Sequence, residues 1–130
     1  MPMYAGFHPY FKTSRKSIMY NLEATQYLDY NDGQVKPYQP ELDLSTKKEA
    51  FLILDPKGNV VSFPLAEIEK KVTLKYGEEF KHIVLWSEIG KDFLCVEPWM
   101  GKMGDFNHID DIPVVEPGES LVTVVSISAD

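Results

Sequence analysis

Phe51-Leu52-Ile53-Leu54-Asp55-Pro56-Lys57-Gly58-Asn59-Val60-Val61-Ser62-Phe63 is two short apolar runs either side of a turn. Each run is too short for a helix and is rich in residues that suit a pleated, half-buried surface. Pro56 fixes a turn-compatible φ and Gly58 supplies positive φ without steric cost, so the stretch reads as a β-hairpin, 51–54 against 60–63.

The same grammar holds on both sides of it. Nine Pro and eight Gly cut the chain into short segments, none of which keeps a helical period long enough for an amphipathic helix. Ile18, Tyr20 and Leu22 alternate with polar neighbours as in a strand, and 26–30 reads as the partner of 17–22. Asp32-Gly33 is a turn signal, and 37–40, with a proline at each end, reads as an irregular loop. Val72, Leu74 and Tyr76 alternate again, while 82–86 and 93–96 are apolar runs punctuated by Gly77 and Gly90. A helical turn and an extended segment both remain open for 64–71. Glu116-Pro117-Gly118-Glu119 is a turn before a Val-rich strand over 121–127. Seven to nine strands in all predict an all-β, antiparallel β-sandwich, with 1–130 as a single domain.

Composition narrows the function. At 130 residues, 44% apolar and 25% charged, the chain can bury a real core. A net charge of −7 repels phosphate backbones, which argues against nucleic acid as a partner. Lys12, Arg15 and Lys16 form one sparse basic cluster that could offset the charge of a phosphorylated ligand. The single cysteine, Cys95, allows neither an intrachain disulfide nor a multi-cysteine zinc site and suits a reducing compartment, so a cytoplasmic location is expected. No apolar run approaches a membrane span and the N-terminus has no export signal, so no membrane partner is expected.

Two segments could carry chemistry. In Gly6-Phe7-His8-Pro9-Tyr10-Phe11 an imidazole sits among aromatic rings, where it is equally readable as a core histidine bonded to a backbone carbonyl. In Cys95-Val96-Glu97-Pro98-Trp99 a carboxylate ends an apolar run; desolvation would raise its pKa and make it a better base, and a plain sheet-edge ion pair is the alternative. Together His8 and Glu97 are the minimum set for acid/base work on a hydroxyl and an ether oxygen, the two atoms of a sugar hemiacetal. Trp99, Trp86, Phe7 and Tyr10 offer flat faces for a pyranose ring, although such residues more often fill cores. Asp105, His108, Asp110 and Asp111 lack a regular ligand pattern and read as a solvated acidic loop, so no metal is expected.

These segments resemble those of the aldose 1-epimerases, the galactose mutarotase-like family. Gly6-Phe-His-Pro-Tyr-Phe11, Ile83-Val-Leu-Trp-Ser87 with Phe93-Leu-Cys-Val-Glu-Pro-Trp-Met-Gly101, and Glu116-Pro-Gly-Glu-Ser120 are similar to that family's segments in the same order. The resemblance implies a β-supersandwich that binds a sugar or sugar phosphate and needs no cofactor. It implies Glu97 as the base at the anomeric hydroxyl, His8 as the acid at the ring oxygen, and Asp55 near a sugar-hydroxyl-binding aspartate, although Asp55 equally suits the first position of a turn. It covers the C-terminal half of such proteins, whose other half carries an arginine and a second histidine. A homo-oligomer, or a separate chain supplying that half, is therefore expected. A non-catalytic carbohydrate-binding domain and a truncated, inactive relative are the alternatives.

Overall fold

Alternation along Phe93–Trp99 sends Leu94 and Val96 into the main hydrophobic core and turns Cys95 and Glu97 to the opposite face. That strand lies within a computed structural model that describes residues 1–130. Twelve strands occur in chain order: β1 (Tyr10–Lys12), β2 (Ser17–Met19), β3 (Asn21–Glu23), β4 (Gln26–Asp29), β5 (Gln34–Pro37), β6 (Glu41–Asp43), β7 (Phe51–Ile53), β8 (Lys57–Leu65), β9 (Lys70–Tyr76), β10 (His82–Trp86), β11 (Phe93–Trp99) and β12 (Val125–Ala129).

A six-stranded sheet runs in the order β1-β11-β10-β7-β4-β5, and a four-stranded sheet runs β12-β9-β8-β3. All pairings are antiparallel. The two sheets meet through one core, in which Phe51, Ile53 and Leu85 of the larger sheet join Val61, Phe63 and Leu74 of the smaller. Phe11 of β1 and Phe63 of β8 meet edge to face at 5.1 Å between ring centroids. A two-stranded ribbon of β2 and β6 adds Ile18 and Leu42 to the same core. The antiparallel sandwich read from the sequence is thus the observed architecture. No helix is long and apolar enough to cross a membrane.

Strand pairing departs from the expectation in two places. The stretch 51–63 is not a hairpin: β7 pairs with β4 and β10 in the large sheet, whereas β8 pairs with β3 and β9 in the small one. Phe51, Leu52 and Ile53 are all buried, as in a strand with neighbours on both edges and cover on both faces. The chain therefore crosses from one layer to the other at 54–56, and Gly58 at φ 79° and Asn59 at φ 52° lie in the first residues of β8.

Nor do 17–22 and 26–30 pair. The first segment divides at Tyr20, β2 pairing with β6 and β3 with β8, while β4 pairs with β5 and β7. Ala24-Thr25 lacks the Gly or Asn that a two-residue hairpin turn requires. The 37–40 loop is short, since β5 ends at Pro37 and β6 begins at Glu41. The 64–71 segment holds only one 3-10 turn, Ala66–Ile68, and the last strand starts at Val125, later than the Val-rich pattern suggested. Twelve strands exceed the seven to nine expected because 17–22 divides in two and because β1, β5 and β6 form where no strand was expected.

Candidate functional site

The site is built by the register of β1 on β11. Tyr10 lies opposite Cys95, and Gly6 forms a bridge with Trp99. His8 is two residues from each end of that span and so falls opposite Glu97, because side chains two apart share a face. Its Nε2 is 3.3 Å from Glu97 Oε1. Pro9 follows at a position whose alternate neighbours face β11, since Phe7 N donates to Pro98 O and Thr13 N to Asp92 O, so the proline removes one ladder donor there. Gly6 is required by contact: a Cβ there would meet Trp99 Cδ1 at 2.8 Å.

Glu97 is 1% exposed, and the Trp99 indole Nε1 donates a hydrogen bond to its Oε2 at 3.0 Å. Burial pushes the carboxyl up to about 7, with the Trp99 N–H acting in the opposite sense. His8, by contrast, is half-exposed, so the dyad joins a desolvated carboxylate to an imidazole that faces solvent. Cys95 is fully buried beside them; burial and then the Glu97 charge push its thiol up to about 12, which leaves it a poor nucleophile at neutral pH.

Aromatic rings form the wall. Tyr10 stacks on His8 at 4.9 Å, and Trp86 meets His8 edge-on at 5.8 Å. Phe93 packs against both Tyr10 and Trp86. The Trp86 indole is fixed by donating to Lys48 O at 3.2 Å. A cavity of about 280 Å³ opens between His8, Phe7, Tyr4 and Trp99. A larger apolar groove of about 610 Å³, bounded by Met19, Tyr20, Phe63 and Lys71, contains no acid/base pair.

His8, Glu97, Tyr10, Trp86 and Trp99 are thus brought together. Asp55 lines a different depression, with Lys57 and Lys81, and its carboxylate accepts hydrogen bonds from Thr25 N and Oγ1 and from Gln26 N. Phe93 and Cys95 are wall residues that the sequence reading did not assign to the site. Period-two alternation from Glu97 is the signal that places both on its face. His82 Nδ1 pairs with Leu54 O at 3.1 Å, and burial lowers its pKa. Asp105 is buried and paired with Lys102 Nζ at 2.6 Å, whereas Asp110 and Asp111 are exposed. Lys16 is also buried, donating to Glu88 O at 2.7 Å, which leaves Lys12 and Arg15 as the exposed part of the basic cluster.

No family model and no curated protein matches the chain. Solved structures do. A protein of Synechocystis sp. PCC 6803 superposes with a TM-score of 0.91 at 30% identity, over 99% of this chain and 45% of its own. An Escherichia coli protein provisionally named aldose 1-epimerase gives 0.80 at 17% identity, over 100% of this chain and 51% of its own. A provisionally named mutarotase from Salmonella typhimurium gives 0.63 at 14%, over 77% and 39%. The fold is the mutarotase-like β fold. This chain spans about half the length of the first two structures. In this mutarotase-like sheet, two of the sequence segments that bear the resemblance, 6–11 and 93–101, are side by side.

Proposed function

We propose that the chain binds an aldose or aldose phosphate and interconverts its α and β anomers, with Glu97 as base and His8 as acid. The observation that carries this reading is the 3.3 Å approach of His8 Nε2 to Glu97 Oε1 within an aromatic wall. In a hemiacetal the ring oxygen and the anomeric hydroxyl sit on one carbon, so adjacent acid and base groups suit them. Glu97 takes the hydroxyl proton, protonated His8 gives one to the ring oxygen, and the C1–O5 bond breaks to an aldehyde. Rotation about C1–C2 presents the other carbonyl face. The reverse proton transfers then close the opposite anomer and restore both groups. Tyr10 and Trp86 supply flat faces for the C–H side of the sugar.

Glu97→Gln tests the assignment by NMR exchange between anomers across hexoses, pentoses and their phosphates. Catalysed exchange should fall about 100- to 10,000-fold with circular dichroism unchanged; an undiminished rate removes Glu97 from the mechanism. The exposure of Tyr10 at 58% and Phe7 at 44% also favours a second reading, sugar binding without turnover. A sugar-induced change in Trp fluorescence with no anomer exchange would select it.

A further inference from the structure

Cys95, His8 and Glu97 offer three different donor atoms, all lying within 4.8 Å of one another. We propose that they form a site for one thiophilic divalent cation of the Zn²⁺ or Cd²⁺ class, whose binding withdraws His8 and Glu97 from proton transfer. Tetrahedral zinc bonds of about 2.0–2.3 Å place ligand atoms roughly 3.3–3.8 Å apart. The His8–Glu97 separation already meets this at 3.3 Å, and the remaining closure is of the order of 1 Å. His8 is the ligand with most freedom to adjust, because it is exposed and lies beside the short edge strand β1.

Charge points the same way. Glu97 is buried with no lysine or arginine partner, and the thiol beside it is buried too. A dication supplies the positive charge this face lacks: Cys95 releases its proton to solvent as the sulfur–metal bond forms, and no electron is transferred. The Trp99 N–H on Glu97 Oε2 orients the ligating carboxylate as outer hydrogen bonds do in metal sites. A fourth position remains open on the solvent side through which His8 is reached, available to water or a sugar hydroxyl.

Two other candidate donors are already engaged. Asp105 is neutralised by Lys102, and His82 commits Nδ1 to Leu54 O.

Titration of the reduced protein with Cd²⁺, followed by calorimetry and by the ultraviolet thiolate-to-cadmium charge-transfer band, tests the site. One equivalent should bind with the band present, and Zn²⁺ should displace it. Cys95→Ser should abolish the band, and His8→Ala, at an exposed position that the fold tolerates, should weaken binding about tenfold or more. His108→Ala should leave binding unchanged. Absence of the band in the wild-type protein, or a Cd²⁺ affinity unaltered by His8→Ala, overturns the proposal. These are binding readouts, so they hold whether or not the chain turns over a sugar.

Discussion

A methyl group at position 6 is enough to disturb Glu97 from a neighbouring strand. It would stand 2.8 Å from Trp99 Cδ1 and 3.1 Å from Nε1, forcing the indole to tilt and lengthening its hydrogen bond to Glu97 Oε2. Gly6→Ala should therefore cost about 1–3 kcal/mol in urea unfolding, the usual range for overpacking, and shift the Trp emission of the folded protein. Trp99→Phe keeps most of the ring but deletes the donor. Leaving a buried carboxylate oxygen unpartnered should cost about 1–3 kcal/mol, again read from the urea midpoint. The two changes separate shape from hydrogen bonding at one contact.

Among the elements, the turn between β7 and β8 does more than reverse the chain. Its Asp55 accepts four hydrogen-bond contacts from Thr25 and Gln26, tying the crossing between layers to the start of β4. Asp55→Ala should lower unfolding free energy by about 1–3 kcal/mol, measured by urea denaturation. This crossing also marks where sequence reading stops. Alternation in 72–76 and the apolar runs 82–86 and 93–96 were legible as strands because side-chain period reports local geometry. Partner choice was not legible: the Pro-Lys-Gly-Asn turn has the right residues for a hairpin, and what excludes it is long-range, β7 pairing with β4 and β10 and β8 with β3 and β9. The site divides in the same way. His8 and Glu97 could be named as an acid and a base, and Cys95 was readable two residues from Glu97, but their meeting depends on the β1–β11 register, a long-range pairing with no local signature. Asp55 read as a turn residue or a ligand with equal ease, since its partners on Thr25 and Gln26 are distant in sequence.

Over the whole molecule, the net charge of −7 is carried by carboxylates that the fold has individually placed. Burial works to raise Asp29, but hydrogen bonds from Lys36 Nζ at 2.6 Å and from Asn31 outweigh it and hold the carboxyl below its ordinary range. Asp55 and Asp105 are lowered likewise, their desolvation offset by Thr25 and Gln26 and by Lys102. Because these folded-state values lie below the unfolded ones, their stabilisation is complete above the ordinary Asp range of about 3.9 and is lost as pH falls through the folded values. The contribution of these groups to the urea midpoint should be flat between about pH 5 and 7 and drop steeply below about pH 4, an acid limb that Asp29→Asn should flatten. Glu97, raised on folding to about 7, works the other way and should lower the urea midpoint as pH rises from about 5 to 7. One further consequence belongs to this scale. β1 has a neighbour on one side only, so its alignment alone determines which side chain confronts Glu97. A slide of two residues would keep the same face and exchange the imidazole for Gly6 or the Tyr10 phenol. The detents against that slide are the indole seated over Gly6 and, farther out, a clasp in which Pro2 meets Val114 and Met3 N bonds Pro113 O. The chemical identity of the dyad is thus stored as a mechanical setting, and loosening the clasp at Pro113 or Val114 would rewrite the site without altering any residue in it.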